Sequence, residues 1–277
     1  MFFYIDPIYL LIFIITLVIS IAAQIFVKSS YNKWSKVRNG AGLSGAEVGH
    51  YLVSHSLLSQ VGGDGVPVQT PELKKLEDLR KKEIITDEEL QAKRKQLLQS
   101  GALVSTSGIK FENVSGQLTD HFDPRSNTAR LSDGVAKTPS VSAMAIVAHE
   151  LGHARQYQDG SILIGMRSFL VPAVRFSPQL AYIMILLGLI FNITGLLWLG
   201  VIFYALMVLF SILTLPVEID ASRRGLKLLR EAGLMQTEQD KQGSRRVLTA
   251  AASTYIAAAV TAILQLLYYL SLARRRS

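Results

Sequence analysis

V-A-H-E-L-G-H-A-R-Q, residues Val147 to Gln156, contains two histidines four positions apart on either side of a glutamate. Residues four apart on an α-helix lie on nearly the same face, one turn from each other. His149 and His153 can therefore both direct imidazole nitrogens at one metal ion. Glu150 projects about 100° round the helix from His149, where it can take a proton from a water molecule and pass it to a leaving amine. The stretch predicts a metal site with a general base beside it.

The surroundings of this motif favour a site over two histidines spaced by chance. H-E-x-x-H is the zincin motif, but five residues also match by accident. Here the match lies in a segment rich in Ala, Met, Ile and Val, which predicts a buried helix from Ser140 to Asp159. Polar side chains without partners are costly in such a helix. Gly152 keeps one side of the motif small, so that another segment can approach closely.

A catalytic zinc site needs a third protein ligand and one position for water. The chain has no cysteine, which excludes thiolate ligands and disulfides and restricts the ligands to imidazole and carboxylate. The remaining histidines are His50, His55 and His121. The strongest carboxylate candidate is Glu218.

Glu218 lies in T-L-P-V-E-I-D-A-S-R-R, residues 214–224, directly after an apolar run. Pro216 predicts that a new helix begins here, with Glu218 in its first turn. On that helix Asp220 would point to nearly the opposite face, so that both carboxylates could not bind the same ion. Ser222, four positions on, would share the face of Glu218.

Long apolar runs make the chain an integral membrane protein, since about 20 apolar residues cross a bilayer as a helix. The first run, from Ile5 to about Val27, has no basic segment before it and is too long for a secretory signal, so we expect a retained span. The run from 176 to 216 is interrupted at Asn192, which predicts two spans joined by a tight turn. A fourth span is predicted from Thr249 to Leu272.

The net charge of +8 comes largely from basic residues beside the predicted spans, as in membrane proteins generally. No nucleic-acid-binding motif accompanies them, so nucleic acid is not an expected partner. If the histidines and Glu218 share an ion, segments 28–175 and 217–248 lie on one side of the membrane. Most of the basic residues flank that side, which predicts that it is cytoplasmic, although the three C-terminal arginines, 274–276, argue against this orientation.

Residues 72–98 are almost entirely charged and aliphatic and predict a helical hairpin. Thr86 and Glu89, three residues apart, form the pattern of a capping box at its turn. The segment resembles the SHOCT module, a two-helix unit thought to mediate association, and here it would be an insertion. It could bind a protein partner or another copy of the chain. The alternative is a solvated hairpin with no partner.

Between this segment and the motif, I-K-F-E-N-V and A-R-L-S-D predict short strands. His121 and Asp123 lie in a polar loop between them. They could form the lip of a substrate cleft, but we expect a loop that hydrogen-bonds to itself through its polar side chains.

Several motifs in the same order resemble the YugP-type neutral zinc metallopeptidases of bacterial membranes. They are H-E-x-G-H-A-x-Q, an apolar hairpin and L-P-V-E-I-D-A-S-R-R, together with G-L-S-G-A-E-V, V-S-G-Q-L-T-D-H-F-D-P and A-A-x-T-Y-I-A-A-A. The resemblance covers the chain apart from about 62–107. It implies Zn²⁺ bound by His149, His153 and Glu218, with Glu150 as the catalytic base, in a gluzincin-like arrangement.

The resemblance extends to membrane peptidases of the HtpX and CAAX-prenyl types, which carry E-[FY]-x-A-D. In this chain Ser222 stands where that Asp would be. An Asp there commonly orients a histidine ligand. Its replacement leaves Asp220 and Asp123 as candidates for that role.

The sequence thus predicts a mainly α, multi-span helical membrane protein with a gluzincin-like zinc peptidase domain and a few short strands. Its expected function is hydrolysis of membrane or membrane-proximal proteins or peptides, and the alternative is a non-catalytic adaptor with a structural metal site. Transport is disfavoured because the spans carry almost no charge. The predicted segments are span 1 (1–27), the peptidase region (28–61 and 108–175), the inserted hairpin (62–107), spans 2 and 3 (176–216), the third-ligand region (217–248), and span 4 with a basic tail (249–277).

Overall fold

The structure, a computed structural model, describes residues 6–60, 79–80, 86, 88–89 and 109–276. In these residues the chain is mainly helical with three short strands, which confirms the predicted fold class. The helices are α1 (Pro7–Trp34), α2 (Gly45–Gln60), α3 (Asp133–Ala136), α4 (Val141–Gln158), α5 (Ile162–Ile190), α6 (Thr194–Glu231) and α7 (Glu238–Arg275). The strands are β1 (Lys110–Val114), β2 (His121–Asp123) and β3 (Thr128–Ser132).

In the part of the chain that the structure describes, four helices, α1, α5, α6 and α7, are long and apolar enough to cross a membrane. This agrees with the four predicted spans. On α1 the large apolar side chains of Leu11, Val18 and Ile25 are exposed. A contiguous apolar surface of this kind is unfavourable in water but suits contact with lipid.

The described residues group into two compact units, and the first comprises 1–31, 156–220 and 249–277. Its core joins α5, α6 and α7 through small and aromatic side chains. Gly188 and Gly200 allow α5 and α6 to approach closely, since a Cβ at Gly200 would lie 2.7 Å from the Ile185 side chain and one at Gly188 would lie 2.7 Å from the backbone of Leu197. Close approach through small residues is a common way to pack helices in a membrane.

The end of α7 lies beside the turn between α5 and α6, and Asp6 lies beside the end of α7. Thr194 Oγ1 donates a hydrogen bond to the Arg276 carbonyl over 3.0 Å, and Arg276 Nη1 donates to the Leu189 carbonyl over 3.1 Å. Near the other terminus, Asp6 Oδ2 lies 3.8 Å from Arg275 Nη1. These contacts bring Asp6, the end of α7 and this turn together at one end of the first unit.

The second unit comprises 32–155 and 221–248 and contains a three-stranded sheet of order β1-β3-β2. Strand β1 pairs with β3 in parallel, and β2 pairs with β3 antiparallel. The stretch around His121 was predicted as loop, but its three residues pair with β3 and form a strand. A capping box begins α2, in which the Ser44 amide donates to Glu47 Oε2 over 2.7 Å.

Helix α4, which carries the motif, begins where the sequence predicts. Ser140 Oγ accepts a hydrogen bond from the Ala143 amide over 3.2 Å, which satisfies one free donor of the first turn. Asn39 Nδ2 donates to the Ser140 carbonyl over 3.2 Å. The first turns of α4 pack into an apolar cluster of the second unit, which consists of Trp34, Val141, Ala145, Val247 and Leu248.

Helix α6 runs without interruption through Pro216, so the prediction that a new helix begins there is wrong. Proline lacks an amide hydrogen and leaves the carbonyl of Ile212 without its usual partner in the helix. Apolar spans tolerate such residues where side-chain hydroxyls and neighbouring helices satisfy nearby backbone groups. Thr214 Oγ1, for example, donates a hydrogen bond to the Phe210 carbonyl one turn earlier in the helix, over 2.8 Å. Glu218 therefore lies inside a helix that continues a span.

The predicted capping box of the charged segment is confirmed. The Thr86 amide donates to Glu89 Oε2 over 3.0 Å, and the Glu89 amide donates to Thr86 Oγ1 over 3.2 Å. Most of the hairpin predicted for 72–98 lies outside the described residues.

Candidate metal centre

The two histidines of the motif lie on one face of α4. Their ring centroids are 4.8 Å apart and the rings are nearly perpendicular, at 80°. His153 and the intervening Glu150 are both buried, with 9% and 6% of their surface exposed. The helix therefore presents two imidazoles side by side and keeps the glutamate out of bulk water.

Two glycines bring α4 and α6 into backbone contact. A Cβ at Gly152 of α4 would collide with the carbonyl oxygen of Ala221 on α6. A Cβ at Gly225 of α6 would lie 2.5 Å from the carbonyl oxygen of Ala148 and 3.0 Å from the amide nitrogen of His149. The expectation that Gly152 permits close approach of another segment is confirmed.

Ser222 contacts the first histidine directly. Its Oγ lies 3.1 Å from Nδ1 of His149. When Nδ1 carries the proton and donates it to this hydroxyl, Nε2 is the ring nitrogen left to bind a metal. Ser222 thus occupies the position, and makes the contact, expected of the Asp that it replaces.

Residues of the first unit contact Glu218 and its neighbours on α6. Its side chain is 4% exposed, and its Oε1 lies 3.7 Å from Nη1 of Arg167 on α5. The fully buried Gln156, at the end of α4, donates its Nε2 to the Val217 carbonyl at 2.8 Å and to Asp220 Oδ2 at 2.7 Å. These bonds fix the backbone and side chain on either side of Glu218.

The ligand atoms offered by His149, His153 and Glu218 all lie within 4.8 Å of one another. Two imidazole nitrogens and one carboxylate oxygen form the His₂Glu donor set of zinc peptidases, which leaves a fourth position for water. The residues that the structure brings together therefore suit zinc. They are the three residues that the sequence predicts as metal ligands.

The other histidines have local roles in the described part of the chain. His50 packs on Phe111 with ring centroids 4.6 Å apart, and burial lowers the pKa of its imidazole. His55 stacks on Tyr51 at 6.1 Å. His121 Nδ1 lies 2.8 Å from the carbonyl of Thr119. These contacts agree with ordinary structural roles rather than with metal binding.

Asp123 belongs to a polar cluster of its own. It accepts hydrogen bonds from Arg130 Nη1 at 2.8 Å and from Ser126 Oγ at 2.9 Å. The Arg130 guanidinium holds the pKa of this carboxyl well below its usual range. Asp123 thus lies on strand β2 rather than in a loop, and its contacts agree with the expectation that these polar side chains bond to one another.

Sequence reasoning missed Arg167 and Gln156. Gln156 follows His149 by seven positions, so helical periodicity could have placed it on the ligand face. Arg167 gives no such signal, because its contact with Glu218 depends on how two different helices pack rather than on spacing within one helix.

The fold and site define a mainly α membrane protein with a triad that could hold a metal. A family model described as "putative neutral zinc metallopeptidase" matches residues 9–71 and 72–274, and the chain belongs to this family of zinc peptidases. It is 31% identical over 251 residues to the "Putative membrane protease YugP" of Bacillus subtilis (strain 168), covering 91% of this chain and 90% of the relative. No solved structure matches the chain.

These comparisons confirm the resemblance found from the separate motifs, and with it zinc as the metal of the family. The family match is split between residues 71 and 72. That boundary coincides with the start of the predicted hairpin.

Proposed function

We propose that the protein is a membrane-embedded zinc metallopeptidase that hydrolyses peptide bonds of membrane or membrane-proximal proteins. His149, His153 and Glu218 are the proposed zinc ligands, and Glu150 is the proposed general base. The convergence of the three ligand side chains within 4.8 Å is the main support. The buried Glu150 beside the first ligand favours catalysis, since a purely structural metal site does not need it.

The chemistry divides between the metal and the chain. Zinc, when bound, supplies a Lewis acid that polarises the scissile carbonyl and makes water more acidic. Glu150 accepts the proton of the attacking water as its oxygen bonds to the scissile carbonyl carbon, and then delivers that proton to the nitrogen that leaves when the C–N bond breaks. Ser222 holds His149 in the orientation and tautomer needed for binding through Nε2.

The position of Glu218 supports substrates close to the bilayer. Helix α6 carries both an apolar span and this residue without a break. A ligand on the continuation of a span lies near the membrane surface, because each residue adds only about 1.5 Å along the helix. Membrane proteins, or peptides at the bilayer, are therefore the proposed substrates.

We further propose a bacterial cell membrane, with the site on the cytoplasmic side. The basic residues that precede α2 and follow Glu218 support this orientation through the positive-inside tendency. Because the chain has no cysteine, single-cysteine variants report orientation cleanly. Lys227→Cys should react with a membrane-impermeant maleimide only after cells are opened, whereas Phe191→Cys should react on intact cells. The reverse labelling pattern would overturn the orientation.

Glu150→Gln tests the proposed chemistry. The variant should retain about one zinc per chain but lose proteolysis, because the amide cannot accept the proton of water. Glu231→Gln is a matched control, since it makes the same change on an exposed side chain of α6. Proteins that remain bound to the Glu150→Gln variant would identify substrates. Cleavage at the parental rate by this variant would refute the mechanism.

We propose that 72–98 is an accessory contact surface for a protein partner or a second copy of the chain. The capping box between Thr86 and Glu89 supports a defined turn in this segment. Deleting 72–98 should leave zinc content and proteolysis unchanged. Loss of the cellular function with proteolysis intact would favour the adaptor alternative.

A further inference from the structure

The cationic side chain of Arg167 lies beside the carboxylate of Glu218, and neither the motif nor the family match assigns it a role. Nη1 of Arg167 lies 3.7 Å from Oε1 of Glu218, and the side chains are 30% and 4% exposed. An almost fully buried carboxylate is oriented by a positive charge that lies close by. Before a metal binds, Arg167 supplies such a charge.

The Arg167 guanidinium also contacts an aromatic ring of α6, the helix that carries Glu218. Arg167 Cζ lies 5.9 Å from the centroid of Phe210, two turns before Glu218 on α6. A guanidinium over an aromatic face is held by cation–π attraction. Arg167 therefore contacts α6 at two points, an aromatic ring and a carboxylate, and both contacts depend on its positive charge.

Arg167 does not use all of its N–H groups in hydrogen bonds to the described residues. Its Nε is buried and has no hydrogen-bond partner among the described residues. An arginine that served only to join two helices would be expected to use its donors on backbone carbonyls. The geometry instead indicates a side chain fixed by charge next to a metal ligand.

We propose that Arg167 is a positioning residue of the metal centre, which holds the Glu218 carboxylate in the orientation needed for metal binding. This inference rests on the ligand role of Glu218 in the proposed function. Partners that orient metal-ligating carboxylates commonly change metal affinity by about 10- to 100-fold when removed. Arg167 lies on the first membrane helix after the motif, so it also ties the ligand to α5.

Repulsion between Arg167 and the zinc ion would have the opposite effect on zinc affinity, so a measurement of that affinity can refute the proposal. A guanidinium near a zinc site also repels the incoming cation, so removing it would raise zinc affinity if repulsion dominated. The proposal requires that the effect of Arg167 on the orientation of Glu218 outweigh that repulsion. Zinc affinity must then fall when the positive charge is removed.

The experiment measures the zinc dissociation constant of the full chain in detergent micelles by competition with a chromophoric chelator. Arg167→Met should weaken zinc binding by about 10- to 100-fold, and Arg167→Lys should restore most of the affinity because the charge is retained. Arg175→Met is the matched control, since Arg175 is an exposed arginine on the same helix that lies against its neighbour Phe176. This control should bind zinc as the parent does.

A double-mutant cycle separates a direct effect from general damage to the fold. In a Glu218→Gln background, Arg167→Met should cause little further loss of zinc affinity, because its target carboxylate is gone. Unchanged or tighter binding by Arg167→Met, or an equal loss in both backgrounds, would overturn the proposal. Failure of the parent chain itself to bind zinc would instead refute the proposed metal site, and zinc binding without proteolysis would refute only the peptidase.

Discussion

The hydroxyl of Ser222 lies 3.1 Å from Nδ1 of His149 and links α6 to the first histidine of the motif. A carboxylate at this position would make the imidazole a stronger electron donor, whereas a hydroxyl orients the ring without adding charge. The proposed metal centre therefore carries one negative charge less than the centre of the peptidases that have Asp at this position. Less electron donation to a bound zinc favours a more acidic water.

Substitutions of Ser222 should lower or raise the affinity for zinc, depending on the side chain that is introduced. Ser222→Ala should weaken zinc binding by about tenfold, because the tautomer and orientation of His149 are no longer fixed. Ser222→Asp should tighten it. Chelator competition measures both. Ser253→Ala is the control, because the Ser253 hydroxyl bonds only to the Ala250 carbonyl of its own helix, at 2.6 Å. Equal zinc affinities for Ala, Ser and Asp at position 222 would show that the contact does not orient the ligand.

Close approach of α4 and α6 should depend on glycine at the crossing. Gly152→Ala places a methyl group against the Ala221 carbonyl, so it should lower stability by about 1–3 kcal/mol through overpacking and reduce zinc retention. Gly165→Ala is the matched control, since a Cβ there meets nothing within 4 Å. In a helix that substitution should be neutral or stabilise by about 0.5–1 kcal/mol.

Thermal unfolding of both variants in detergent, followed by metal analysis, gives the comparison. If Gly152→Ala melted no lower than Gly165→Ala and kept its zinc, the close contact would not be required for the site.

The cluster around Asp123 should make the second unit sensitive to acid. Arg130 holds the pKa of the Asp123 carboxyl below its ordinary value, so the ionised form is favoured more in the folded chain than in the unfolded chain. The resulting stabilisation is complete above the unfolded pKa, about 3.9, and is lost as the pH falls below it towards the folded pKa. Asp123→Asn should remove this part of the acid dependence.

Melting temperatures recorded between pH 7 and pH 3 test this prediction. The parent should lose more stability than Asp123→Asn over the acidic end of that range. Parallel curves would contradict the assignment. Asp133→Asn is a suitable control, because its carboxylate forms an exposed ion pair with Lys137 one turn away, a type of pair that contributes little to stability.

The juxtaposition of the two histidines could be predicted from the sequence because it is set locally. His149 and His153 are related by one helical turn, and the alternation of apolar and polar residues indicated β1 and β3 but not β2. The helix start predicted at Pro216 was wrong, because a local rule about proline was applied to a span, where neighbouring helices stabilise the backbone. The contacts of Ser222, Arg167 and Gln156 could not be predicted from spacing alone, since each joins segments distant in the sequence.

Gln156 illustrates how such a contact could control the third ligand, and it gives a last prediction. Its amide donates to the Val217 carbonyl and to Asp220, so it contacts the residues on both sides of Glu218. Gln156→Met keeps the volume but removes both hydrogen bonds, which should cost about 0.5–1.5 kcal/mol for the bond to the carbonyl and about 1.5–3 kcal/mol for the bond to the carboxylate. Gln156→Glu should be worse, because a second carboxylate would face Asp220 in a buried position. Melting temperature and zinc content should therefore fall in the order parent, Met, Glu. A Glu variant as stable as the Met variant would mean that charge at Asp220 does not matter to the site.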